Sequence, residues 1–144
     1  MNKLTPFFIM SLFLLLMESP GTLHADSQKK DGVIHSEANT IPCTKSLSDI
    51  KVTLDINPKP IRAMKPLRFR VTLSTGHSPL APYIDLNMPG MNMGHNRVKL
   101  YKVDEGVYEG EGIVVKCPSG RRTWEARVTV PNRGAVEFIF DVIY

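Results

Sequence analysis

Leu67–Leu73 reads LRFRVTL, and its alternation decides the fold. Leu67, Phe69, Val71 and Leu73 fall on one side of an extended chain, with Arg68, Arg70 and Thr72 on the other. That period of two belongs to a strand buried on one face. The same pattern precedes it in IKVTLDI, where Ile50, Val52, Leu54 and Ile56 alternate with polar residues. The next candidate strands are YIDLNM (Tyr83–Met88), RVKLYKV (Arg97–Val103), VYEGEGIVVK (Val107–Lys116), TWEARVTV (Thr123–Val130) and VEFIFDVIY (Val136–Tyr144). Turn-forming clusters separate these runs: NPKP, STGHSPLAP, PGMNMGHN, DEG, CPSGRR and PNRG.

Seven strands at this spacing, with no helical period between them, predict an all-β chain. The expected architecture is an immunoglobulin-like antiparallel β-sandwich over residues 49–144, with a small closed barrel as the alternative. Trp124, Phe138 and Phe140 are expected in its core.

Before Ile50 the character changes. The chain opens with Lys3, runs through PFFIMSLFLLLM (Pro6–Met17), breaks at Pro20-Gly21 and reaches LHA before Asp26. This reads as a signal peptide over residues 1–25, cut after Ala25, which sends the protein to the periplasm or otherwise out of the cell. The apolar run is shorter than the roughly 20 residues that span a bilayer, so no membrane anchor is expected after cleavage. Residues 26–48 lack any sustained period and read as a flexible leader, with His35 solvated.

Removing residues 1–25 takes away one cation, Lys3, and one anion, Glu18, so the net charge stays at +4. The basic residues are scattered, and an exported chain of this charge points to no nucleic-acid partner. No phosphate-binding glycine loop, zinc-spaced cysteine set, paired acidic motif or nucleophile elbow is present, so the chain does not read as an enzyme. Two cysteines, Cys43 and Cys117, in an oxidising compartment predict a structural disulfide. Closing that loop would contribute on the order of 4 kcal/mol. If successive strands alternate in direction, however, Cys43 starts at the end opposite Cys117 and must fold back across roughly 20 Å.

Four of the seven methionines lie beyond residue 25, and three of those stand in MPGMNMGH, Met88–His95. Thioethers are soft, neutral donors that select copper(I), and imidazole suits both copper states. Met91, Met93, His95 and Met88 are therefore the candidate metal ligands, with copper as the expected cofactor. Pro89-Gly90 and Gly94 permit the turns that would gather them. Met88 shares the parity of Ile84 and Leu86, so its side chain is also expected to continue the buried face of its strand. Met64, between Pro60 and Pro66, is a weaker donor candidate at the same end, and His77 falls at the other end.

The order MPGM (Met88–Met91), GVY (Gly106–Tyr108) and GRRTWEARVTV (Gly120–Val130) resembles the YtkA-like and FixH-like domains, over Ile50–Tyr144. That resemblance implies an envelope sandwich associated with copper handling or with assembly of copper and haem oxidases. It implies Met88 and Met91 as the methionine motif, Tyr108 as the usual aromatic and Trp124 as the core tryptophan. Cys117 departs from the pattern, standing where such domains more often carry an apolar residue or methionine. The expected function is thus copper binding by a non-enzymatic envelope protein, with an envelope protein partner in copper handling. The alternative is a structural or interaction module that uses the same loop as an adaptable apolar contact.

Overall fold

A computed structural model describes residues 37–144 except 76, 77 and 92. The expected signal peptide, the leader through residue 36 with His35, and His77 lie outside the described residues. Nine strands form among those described: β1 (Cys43–Leu47), β2 (Ile50–Asn57), β3 (Pro66–Leu73), β4 (Tyr83–Asn87), β5 (Arg97–Lys99), β6 (Tyr101–Asp104), β7 (Val107–Ile113), β8 (Thr123–Val130) and β9 (Gly134–Asp141). They make two antiparallel sheets, β1-β2-β3-β7-β6 and β5-β4-β8-β9. The chain is a β-sandwich, as the alternating runs predict.

Each inward set is the apolar set read from the sequence. Ile50, Val52, Leu54 and Ile56 of β2, Leu67, Phe69, Val71 and Leu73 of β3, and Trp124, Ala126, Val128 and Val130 of β8 are all buried. Phe138 and Phe140 of β9 complete the layer between the sheets. A one-residue slip of any strand would turn its apolar set to solvent, which fixes the register. Among the described residues the buried core runs from Ala38 to Val142.

Two differences from the expected strand count have physical causes. First, the leader ends earlier than residue 48. Cys43–Leu47 pairs with Ile50–Leu54 in a hairpin turned at Ser48, whose φ is +51°. β1 is a sheet edge with Thr44, Lys45 and Ser46 exposed, so it carries no hydrophobic period to read. Before it, Glu37–Asn39 forms a 3₁₀ turn, and Ala38 is buried. The Asn39 side chain donates to the Asp141 carbonyl at 2.6 Å and accepts from the Asp141 N–H at 2.8 Å, tying this segment to the end of β9.

Second, RVKLYKV is not one strand but two. Arg97–Lys99 pairs with β4 in one sheet, and Tyr101–Glu109 pairing places the next segment on β7 in the other. Leu100, buried at the crossing, anchors the change of sheet. β7 makes room with glycine: a Cβ on Gly110 would lie 2.1 Å from the Lys99 carbonyl oxygen, and one on Gly112 would lie 2.6 Å from Val98 Cγ2. Glycine inside a strand here marks a close approach of another backbone.

The pairings place residues 58–65, 88–96 and 114–122 and the C-terminal residues at one end of the sandwich. Residues 48–49, 74–82, 105–106 and 131–133 lie at the other.

Candidate functional site

Met88 continues the inward face of β4 and is 1 % exposed, as its parity predicts. The chain then reverses at once. The Met91 N–H donates to the Met88 carbonyl at 2.9 Å, with Pro89 and Gly90 (φ +74°) between them. Proline followed by a positive-φ glycine is the requirement of a type II turn. Met91 closes that turn and is 38 % exposed, while Met93 is half-buried against the core cluster. A second reversal at Gly94 (φ +71°) leads to Asn96, whose carbonyl accepts from the Leu86 N–H at 2.8 Å.

His95 is exposed, and its position separates it from Met88. It lines a groove of about 590 Å³ on the outer face of the four-stranded sheet, beside the outward-facing Asp85 and Asn87 of β4. Met88 and His95 therefore stand on opposite faces of that sheet. Met91 and Met93 belong to the segment that joins the two faces. Asp85 is itself engaged by the Arg97 fork at 2.7 and 3.1 Å, and that guanidinium stacks 3.9 Å above the Tyr83 ring. Among the described residues no group of three or more His, Cys, Asp and Glu side chains is placed to hold a metal ion.

The expected disulfide is not formed: Cys43 and Cys117 are both free thiols. The β1 hairpin does fold the chain back, but it is Asn39 that reaches the far end. Cys43 stops level with Leu54, Val71 and Tyr108 across the sheet. From Tyr108, β7 runs on to Ile113 before the loop of Cys117 begins, a rise of roughly 16 Å. A disulfide needs Cα atoms within about 7 Å.

Cys117 instead sits buried in a tight turn, its carbonyl accepting from the Gly120 N–H at 3.0 Å. Its Sγ lies 3.0 Å from Ser119 Oγ. The Ser119 hydroxyl, the Ser119 backbone N–H, the Arg121 N–H and the Arg121 charge hold the thiol below its ordinary pKa, against the opposing effect of burial. This turn and the methionine turn are joined. Arg121 donates from its guanidinium to the Pro89 carbonyl at 2.7 Å, and its own carbonyl accepts from the Tyr144 hydroxyl. Tyr144 in turn accepts from the Cys117 N–H at 3.2 Å.

Arg121 and Ser119 were not singled out by sequence reasoning, which found in CPSGRR a turn and, in Cys117, half of a disulfide. Long side chains that clamp a distant backbone carbonyl leave no local period to detect. Of the residues carried by the family resemblance, Met88, Tyr108 and Trp124 are core groups here, and Met91 is exposed. Tyr108 is buried and its hydroxyl accepts from the Ser78 N–H at 3.1 Å, and Trp124 is fully buried. No protein-family model matches the chain, and no curated protein matches it.

Proposed function

We propose that this is a non-enzymatic, exported envelope protein that binds copper transiently through the thioethers of Met91 and Met93, with His95 as a flanking donor. It buffers the ion or passes it to an envelope partner protein. The observation that carries this reading is the placement of Met91: a soft donor exposed at the closing position of a hydrogen-bonded turn, where packing does not require it. Met88, buried in the core, anchors the turn and is not needed as a ligand. Two thioethers and a peripheral imidazole make a sparse, soft donor set, suited to copper(I) and to release. The resemblance to YtkA-like domains points the same way. A competitive copper(I) titration against a chromophoric chelator tests it. Met91→Leu/Met93→Leu should bind at least tenfold more weakly than the unaltered chain, and equal affinity would sink the site.

The separation of His95 from Met88 favours a second reading, an interaction module whose exposed methionines contact a protein. It predicts a partner retained regardless of copper or chelator. Strict dependence of that binding on copper would count against it.

A further inference from the structure

The end of the sandwich that carries the methionine turn is also strongly basic. Arg62, Lys65, Lys116, Arg121 and Arg122 are exposed there, and among the described residues none has a carboxylate partner. The carboxylates of Asp55 and Asp141, toward the same end, are engaged by Lys59 and by the Thr123 hydroxyl. Asp104 and Glu105 are exposed at the opposite end beside Lys51 and Lys102, so the cationic excess lies at the methionine end, where the exposed Glu111 stands across from Arg68.

Apolar tips stand between these cations. Met64 is 61 % exposed, Val115 40 % and Tyr144 38 %, and Met91 joins them from the neighbouring loop. Lys116 and Arg122 hold their charges 5.3 and 5.8 Å from the Tyr144 ring centre. The loops are cross-tied: the Met64 N–H donates to the Val114 carbonyl at 2.7 Å, Ala63 to Ile143 at 3.0 Å, and Val142 to Arg122 at 2.9 Å. The cations and apolar tips therefore belong to one fixed platform.

We propose that this end docks face-on to an anionic phospholipid surface. The contacts come from three loops and the last residue, spread over both sheets, which lie about 10 Å apart. A planar surface meets all of them at once. Small apolar tips enter the headgroup region while the cations beside them meet lipid phosphates, the arrangement that drives peripheral binding. The inference is independent of copper.

Vesicle co-sedimentation tests it, with the chain from Asp26 onward, which retains every core residue among those described. The probes are vesicles of phosphatidylglycerol with phosphatidylethanolamine, and of phosphatidylcholine alone, with a metal chelator present throughout. The chain should partition to the anionic vesicles, not to the neutral ones, and release as salt is raised. At about 1 kcal/mol per basic residue near such a surface, Lys116→Gln/Arg122→Gln should bind about thirty-fold more weakly. Lys51→Gln/Lys102→Gln, which removes the same charge away from this end, should keep most of the binding. No partition to anionic vesicles, or equal losses in the two variants, would overturn the proposal. Binding to polyglutamate but not to vesicles would also overturn it, in favour of an acidic polypeptide.

Discussion

Gly110→Ala strikes the point where the chain changes sheets. The new methyl would lie 2.1 Å from the Lys99 carbonyl oxygen and 3.0 Å from Leu100 Cδ2. A carbon and a carbonyl oxygen rest no closer than about 3.3 Å, so the β5–β6 backbone must retreat by about 1 Å. It cannot do so freely, because Lys99 pairs with Tyr83 in one sheet and Tyr101 pairs with Glu109 in the other. Overpacking typically costs about 1–3 kcal/mol, and a clash against backbone belongs at the upper end, about 3 kcal/mol. For a domain of this size that lowers Tm by roughly 12–24 °C. Gly112→Ala is the matched comparison. Its methyl meets Val98 Cγ2 at 2.6 Å, a side-chain atom that can move, so about 1 kcal/mol is expected. Adding Val98→Ala to Gly112→Ala should cost less than the two changes summed, since one relieves the other. Urea denaturation with an unchanged m-value measures these variants and Val98→Ala alone. Gly110→Ala within about 0.5 kcal/mol of the unaltered chain, or no worse than Gly112→Ala, would refute the reasoning.

Met88→Ala should open a cavity and destabilise by about 2–5 kcal/mol, whereas Met91→Ala should change stability by less than about 0.5 kcal/mol. Thermal melts that rank them the other way would contradict the division of the loop into anchor and free donors. Ser119→Ala removes the largest cause of the lowered Cys117 pKa, so the thiolate absorbance should titrate at higher pH. Because the folded-state pKa is the depressed one, Cys117 contributes stability that is full above the ordinary thiol value and is lost as pH falls through the folded value. Ser119→Ala should flatten that dependence, and an unmoved titration would exclude the hydroxyl as its cause. Unfolded in denaturant without reductant, the protein should show two alkylatable thiols by mass, and two blocked thiols would contradict the free cysteines.

The sandwich was legible because its interior strands are long and half-buried, so β2, β3 and β8 print their buried face as a period of two. The same rule placed Met88 in the core. It failed where burial does not alternate. β1 is an exposed edge held by pairing alone, and the apolar positions of RVKLYKV change parity between Leu100 and Tyr101, where its partner changes from β4 to β7, a break passed over in reading it as one strand. The glycines of EGEG (Glu109–Gly112) carried that signal, read only as part of a strand. The disulfide expectation rested on cysteine number, which carries no information about strand level. The hairpin that returns the leader to the far end leaves Cys43 short of it. The separation of His95 from Met88 likewise depends on where Gly94 turns the chain, a choice between faces that the spacing of MPGMNMGH leaves open.

X-ray absorption at the copper edge, on the chain loaded with one equivalent of copper(I), bears most directly on the proposed function. Sulfur scatterers are expected in the inner shell, and they should be lost in Met91→Leu/Met93→Leu. A shell of nitrogen and oxygen alone, or a sulfur shell that survives the double substitution, would contradict the assignment of copper to this turn.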